Sequence, residues 1–199
     1  GLVGSEMCIR DRAYTFYHFF INIKSYKHKS EIPQLWLNYI SSLLIENNIK
    51  HVSIVAYSIG ARLAYPLFGI SQLDKTVLIV PDGVFEHPIY RLATKTILGG
   101  LLFYPVFKTL LFCVASLTKF IKISSKELFY MWKLYSVFKF PGRLPLNSFV
   151  FLASEDFICP SKYVLNKLYC SGFTGSRVVK STHFTILPLI KKNILGIIK

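Results

Sequence analysis

Apolar segments of strand length recur along this chain, separated by segments whose apolar residues have helical spacing. The strand-like segments are rich in β-branched and aromatic residues and end at turns or polar residues. They are residues 13–23, 51–57, 76–80, 149–156 and 177–180. Alternating strands and helices are typical of a doubly wound, mainly parallel sheet, so we predict an α/β fold with about five strands.

Helical segments lie between these strands. Residues 33–48 carry apolar side chains on one face and begin at Pro33, which suits the first turn of a helix. A second helix is predicted to begin at residue 59. We expect Pro66 to kink that helix or end it early, because a proline ring collides with the carbonyl of the preceding turn. Further helices are predicted near residues 161–169 and from residue 184 onward.

Residues 84–146 interrupt the alternation with a long, mostly helical insertion rich in Phe, Leu, Tyr and Lys. Two apolar stretches in it, residues 97–107 and 109–117, together approach the length that a membrane span needs. Pro105 and Lys108 interrupt the run, so we favour amphipathic helices over a transmembrane segment. Such an apolar, basic insertion suggests peripheral contact with a membrane interface.

Residues 1–12 differ in amino-acid composition from the remainder, which is rich in Lys, Ile, Phe, Tyr and Asn. They lack the features of a signal peptide and look like a translated sequencing adapter, as found fused to metagenomic reading frames. We therefore divide the chain into this foreign-looking segment, a first core part (13–83), the insertion (84–146) and a second core part (147–199). The natural N-terminus is expected to be missing.

Composition narrows the class of protein. Hydrophobic residues make up 52% of the 199 residues and aromatic residues 16%, which excludes intrinsic disorder and suits one domain with a substantial core. The formal net charge of +14 would attract acidic partners, but the densest basic cluster, residues 24–29, is typical of a solvated loop. No nucleic-acid-binding motif accompanies it. The four cysteines show no metal-ligand spacing, so neither a metal nor another cofactor is expected.

Ser58 is the strongest candidate for chemistry. It ends the β-branched segment 51–57, with Ala56 two residues before it and Gly60 two residues after it. A serine between small residues at the junction of a strand and a helix is the pattern of a nucleophile elbow, whose sharp turn exposes the hydroxyl. Such a pentapeptide also occurs by chance, and a serine at a strand end often only caps a helix.

Two later strand ends carry the other residue types that an activated serine needs. One strand is followed by the acids of Ala-Ser-Glu-Asp-Phe-Ile-Cys-Pro at residues 153–160, and the next by the Thr-His-Phe turn at residues 182–184. With Ala-Tyr-Ser-Ile-Gly at residues 56–60, the order Ser, Asp, His resembles the α/β-hydrolase family over residues 13–199.

That resemblance implies a serine hydrolase with a helical cap over its active site. Ser58 would be the nucleophile, His183 the general base and acid, and Asp156 the carboxylate that orients His183. The backbone N–H of Ile59 would be one oxyanion donor. The family's second donor often comes from a His-Gly pair, and none precedes Ser58 in this chain. The family's first core strands are expected to lie upstream of residue 13, where sequence is missing or replaced, so this chain could be inactive.

Several alternatives stay open at this point. Asp82 follows the strand 76–80, a position that some lipases use for the acid, and Glu155 lies next to Asp156. The favoured activity is that of an esterase or lipase-like enzyme on a hydrophobic small-molecule ester. The alternatives are carbon-carbon bond hydrolysis, aminopeptidase-like cleavage, and a non-catalytic binding or membrane-associated relative. We expect a cytoplasmic protein, because cysteine usage indicates a reducing compartment, with membrane association as the alternative.

Overall fold

The computed structural model of this protein describes residues 28–86 and 134–198, together with positions 88, 91, 92, 96 and 101. Three predicted features therefore lie wholly or largely outside the described residues. They are the foreign-looking segment 1–12, the strand 13–23 and the helical insertion 84–146.

The described residues form one parallel sheet. Its strands are β1 (Val52–Tyr57), β2 (Leu73–Ile79), β3 (Ser148–Ala153) and β4 (Ser176–Val179). They lie side by side in the order β1-β2-β3-β4, and every neighbouring pair is parallel. The predicted parallel α/β sheet is confirmed for these four strands, and their carboxyl ends meet at one edge.

Helices connect the strands close to their predicted positions. They are α1 (Ile32–Glu46), α2 (Gly60–Ala64), α3 (Ser161–Cys170) and α4 (Ile186–Ile198). As predicted, Pro66 shortens the second helix: α2 ends at Ala64, and a 3-10 helix, Tyr65–Gly69, continues the chain. Within the described part of the chain, no helix has the length and apolar character needed to cross a membrane.

The carboxyl half of β2 and most of β3 are buried on both faces, whereas β1 and β4 keep exposed positions, and successive strand residues supply opposite faces. One face packs against α2 and α3, the other against α4. The first face contributes Ala56, Leu78, Val150 and Leu152, which pack with Ala61, Ala64, Val164 and Leu168. The second contributes Val77, Ile79, Phe151 and Ala153, which pack with Ile186 and Ile190. This two-sided burial explains why the buried parts of β2 and β3 are apolar runs rather than alternating sequences.

Leu152 provides a test of this packing. Its side chain is fully buried at the centre of β3, so Leu152→Ala should lower the free energy of unfolding by about 2–5 kcal/mol through lost burial and a residual cavity. Leu146→Ala is the matched control, because Leu146 is fully exposed and its loss should change stability by no more than about 0.5 kcal/mol. Urea titration of both variants measures the difference, and equal midpoints would contradict the assigned core.

Candidate active site

Ser58 lies in the sharp turn between β1 and α2. Its backbone φ is +50°, in the left-handed region that residues other than glycine rarely adopt. The turn is held by the Ser58 N–H, which donates to the Ile79 carbonyl of β2 at 2.9 Å. Ala56, the small residue two positions before Ser58, is buried. Gly60, the small residue two positions after it, has more room, because a Cβ there would meet no atom within 4 Å beyond its own helix backbone and chain neighbours.

Ser58, His183 and Asp156 form a continuous chain of hydrogen bonds at the carboxyl edge of the sheet. The Ser58 Oγ lies 2.8 Å from His183 Nε2, and His183 Nδ1 lies 2.7 Å from Asp156 Oδ2. An ionised carboxylate can only accept, so Nδ1 is the donor and Nε2 of the neutral imidazole is free to accept the serine proton. His183 and Asp156 are almost completely buried, although 125 residues separate His183 from Ser58 in sequence.

The loop after β3 holds the Asp156 carboxylate in its ionised form. Asp156 Oδ1 accepts hydrogen bonds from the N–H groups of Ile158 and Cys159, both at 2.8 Å. Burial by itself would raise the pKa of Asp156, but the hydrogen bonds from His183, Cys159 and Ile158 outweigh it and keep that pKa below its ordinary value. Asp156 is therefore a charged acceptor for His183 at neutral pH.

Some known proteins resemble this chain in fold. No protein-family model matches the chain, and no curated protein does. The 2-hydroxy-6-oxo-6-phenylhexa-2,4-dienoate hydrolase of Rhodococcus sp. strain RHA1 is similar in structure, with a TM-score of 0.54 and 17% identity over 86% of this chain and 72% of that protein.

Two further solved structures are similar to the chain. The serine hydrolase CCSP0084 of Cycloclasticus zankles has a TM-score of 0.51 and 18% identity, covering 85% of this chain and 70% of its own. MGS-M2, an alpha/beta hydrolase from a Medee basin deep-sea metagenome library, has a TM-score of 0.52 and 16% identity over 81% and 70% of the two chains. This chain has an α/β-hydrolase fold.

In this α/β-hydrolase fold the acid that reaches His183 is Asp156, and the other two candidates lie elsewhere. Asp82 faces Arg62, whose Nε lies 2.6 Å from Asp82 Oδ2. Glu155 is exposed, and its backbone N–H donates to the Ser181 carbonyl at 3.0 Å. The choice among the three acids depends on loop geometry, because all of them follow strands of the same sheet.

Ile59, the predicted oxyanion donor, follows Ser58 in the turn. Its φ and ψ are −60° and −25°, so the backbone turns into α2 immediately after the serine. The Ser58 carbonyl, which belongs to the same peptide group as the Ile59 N–H, accepts hydrogen bonds from Ala61 N–H at 3.0 Å and Asp82 N–H at 3.1 Å. That carbonyl therefore points into the protein.

Tyr57 is part of the site and was missed by the sequence analysis. Its hydroxyl donates to the His183 backbone carbonyl at 2.7 Å, and its ring centroid lies 5.4 Å from that of His183. Burial, followed by the charge of Asp156, raises the pKa of Tyr57, so its hydroxyl stays a donor. The only sequence signal was an aromatic residue directly before Ser58, which does not reveal its partner.

The depressed pKa of Asp156 predicts how stability depends on pH. The unfolded carboxyl has a pKa of about 3.9, and the folded pKa is lower, so ionised Asp156 stabilises the fold above about pH 4. This contribution should be lost as the pH falls through the folded pKa. Urea titrations between neutral pH and pH 3 should therefore show a decline that is steeper for the wild type than for Asp156→Asn. The control Glu155→Gln should follow the wild type, and parallel curves for the wild type and Asp156→Asn would contradict the prediction.

Proposed function

We propose that this protein is a serine hydrolase in which Ser58 forms an acyl-enzyme. The observation that carries the proposal is the unbroken hydrogen-bond chain from Ser58 through His183 to Asp156. A serine hydroxyl is a weak nucleophile at neutral pH, and it needs an imidazole to take its proton and a carboxylate to orient that imidazole. All three groups meet these needs at 2.7–2.8 Å.

The proposed reaction has two halves. Ser58 Oγ attacks the substrate carbonyl carbon while His183 Nε2 takes the hydroxyl proton, and Asp156 stabilises the resulting imidazolium. The bond to the leaving group breaks as His183 returns the proton to it, which leaves Ser58 esterified. Water then attacks the acyl carbon with His183 as base, and the acid product departs with Ser58 regenerated. The Ile59 N–H supports the oxyanion in both halves.

A hydrophobic ester is the substrate class that the surroundings of the triad favour. Phe157 follows Asp156 and is 76% exposed, and Phe184 follows His183 and is 69% exposed. The Phe184 ring meets the His183 ring edge to face at 5.2 Å between centroids. Contiguous exposed apolar surface often marks a binding site, and the Phe184 ring against His183 would give an apolar acyl or alcohol group a surface to contact beside the proposed base.

Labelling with a fluorophosphonate tests the proposal directly. Such probes phosphonylate only a serine that is activated, so the wild type should acquire one adduct, found on the tryptic peptide that contains Ser58. Prior treatment with an unreactive phosphonate of the same shape is the control for simple binding. A folded protein with no adduct on Ser58 would contradict the proposed function.

Substrate profiling distinguishes ester hydrolysis from carbon-carbon bond hydrolysis, the nearest alternative. Carbon-carbon bond hydrolysis of a 2-hydroxy-6-oxodienoate would need the same three groups, and the Rhodococcus hydrolase with a similar fold is named for such a compound. We expect kcat/KM for p-nitrophenyl esters to rise at least about tenfold from acetate to octanoate, because each buried methylene contributes about 0.8 kcal/mol. Equal turnover of both esters would contradict the apolar site, and turnover of the dienoate alone would favour the alternative.

A further inference from the structure

Asp82 is in direct contact with the peptide group that follows Ser58. The backbone N–H of Asp82 donates to the Ser58 carbonyl oxygen at 3.1 Å, and the N–H of Ala61 donates to the same oxygen at 3.0 Å. One of these donors belongs to the turn itself. The other comes from the loop that follows β2, so this loop helps to set the orientation of the Ser58–Ile59 peptide.

The orientation of that peptide decides where the Ile59 N–H points. A trans peptide is planar, and its C=O and N–H bonds point in opposite directions. Two hydrogen bonds that hold the Ser58 carbonyl toward the protein interior therefore direct the Ile59 N–H away from it. An oxyanion donor is effective only when it is held in place before charge develops, so a peptide that can rotate loses transition-state stabilisation.

Asp82 is itself held by two side chains of the segment after Ser58. Arg62 Nε lies 2.6 Å from Asp82 Oδ2, and Arg62 Nη2 lies 3.4 Å from Oδ1, so the guanidinium binds the carboxylate in a bidentate manner. The Tyr65 hydroxyl donates to the Asp82 backbone carbonyl. Arg62 is completely buried and Tyr65 is 3% exposed, while the Asp82 side chain is 20% exposed, so these contacts are largely shielded from water.

The loop also packs closely on both side chains. Gly83 has a φ of +87°, and a Cβ at this position would lie 3.1 Å from the Arg62 guanidinium carbon and 3.1 Å from the Tyr65 ring. Arg62 reaches further, with Nη1 3.3 Å from the Phe138 carbonyl and 3.6 Å from Glu86 Oε1. The guanidinium thus joins the helix after Ser58, the loop after β2 and the segment that leads to β3.

We infer that Arg62, Asp82 and Tyr65 are positioning residues for the oxyanion donor of this protein. Arg62 holds the Asp82 carboxylate and Tyr65 holds its backbone carbonyl, which fixes the residue. The Asp82 N–H in turn holds the Ser58 carbonyl, which directs the Ile59 N–H toward the substrate. This inference rests on the proposed function, because it assigns a role in the same reaction. It also gives Asp82 a place in the site other than that of the triad acid.

Two variants with small changes in shape test the inference. Tyr65→Phe removes only the hydroxyl that donates to Asp82. Arg62→Lys keeps the positive charge but cannot form the bidentate contact with the Asp82 carboxylate. Arg143→Lys is the matched control, because Arg143 is exposed and lines a surface pocket with Lys167, Cys170 and Ser171, a set that includes none of the residues around Ser58. Each variant is first checked by circular dichroism, and then kcat, KM and the Ki of an alkyl boronic acid are measured. The boronate adduct of Ser58 is tetrahedral and places an oxygen where the oxyanion forms.

We expect kcat to fall about tenfold or more in each variant, and Ki for the boronic acid to rise by a similar factor. KM should stay within about twofold, since the ground-state carbonyl depends less on the donor. A merely structural role would lower the melting temperature and leave kcat and Ki unchanged. If Arg62→Lys does not fold, Tyr65→Phe decides the outcome, because it retains the ring that packs in the core.

The outcomes separate this inference from the proposed function. A wild type that binds no boronate at Ser58 would overturn the proposed function and the positioning role with it. A wild type that binds boronate tightly, with folded Tyr65→Phe showing unchanged kcat and Ki, would overturn the positioning role alone. Parallel losses in kcat and boronate affinity, with Arg143→Lys at wild-type values, are the result that the geometry predicts.

Discussion

Replacing Ser58 with alanine is expected to lower kcat for a p-nitrophenyl ester by about 10⁴-fold or more. His183 Nε2 hydrogen-bonds to the Ser58 Oγ at 2.8 Å, and alanine lacks this oxygen. Without the hydroxyl no acyl-enzyme forms, and only a slow direct attack by water remains. Initial rates under saturating ester measure the loss, and fluorophosphonate labelling of the variant should vanish in parallel.

Ser71→Ala is the control for this substitution. Ser71 is exposed, and its hydroxyl hydrogen-bonds to the neighbouring Gln72 side chain, so its removal should leave kcat within about twofold of the wild type. Ser58→Ala should keep the fold, because Ser58 lies in a partly exposed turn and is not one of the buried core residues. A Ser58→Ala protein that hydrolyses the ester at the wild-type rate would rule out the serine mechanism.

Asp156→Asn is expected to lower kcat by about 10³- to 10⁴-fold, with little change in overall structure. Asp156 Oδ1 accepts from the N–H groups of Ile158 and Cys159, so the asparagine oxygen should take that position. Its NH₂ group would then face His183 Nδ1 and force that nitrogen to accept. The proton moves to Nε2, which can no longer take the proton of Ser58.

Glu155→Gln is the matched control for Asp156→Asn. Glu155 is adjacent in sequence but exposed, so this substitution should leave kcat within about twofold of the wild type. Steady-state kinetics of both variants, with circular dichroism to verify folding, separates the two acids. Equal effects of the two substitutions would contradict the assignment of Asp156 to His183.

Much of the fold follows from local patterns in the sequence. The β-branched run before Ser58 becomes β1, and the apolar segments before Asp82, Ser154 and Lys180 become the other described strands. For β2 and β3 these predictions succeed because a stretch of strand that is buried on both faces is apolar throughout. For β1 and β4 they succeed because β-branched residues favour strands. The early end of α2 was also predictable, since the effect of Pro66 on a helix is local and steric.

The residues of the candidate site were predictable only in part. Ser58 and His183 could be located because each follows a strand of a parallel sheet, where the carboxyl ends converge. The same argument applied equally to Asp82, Glu155 and Asp156, and it could not choose among them. Which of the three carboxylates reaches His183 depends on the path of each loop over a few ångströms. No pattern of apolar and polar residues encodes that path.

By itself, the sequence determined the parallel α/β architecture, the order of Ser, Asp and His along the chain, and the residue types available at the carboxyl edge of the sheet. The tertiary structure decided which of these groups meet: Asp156 faces His183, while Asp82 faces Arg62. It also brought Tyr57 to the His183 carbonyl across 126 residues of sequence. The physical reason is range, because periodicity and turn chemistry act between near neighbours, whereas hydrogen bonds of 2.6–2.8 Å depend on how distant loops pack together.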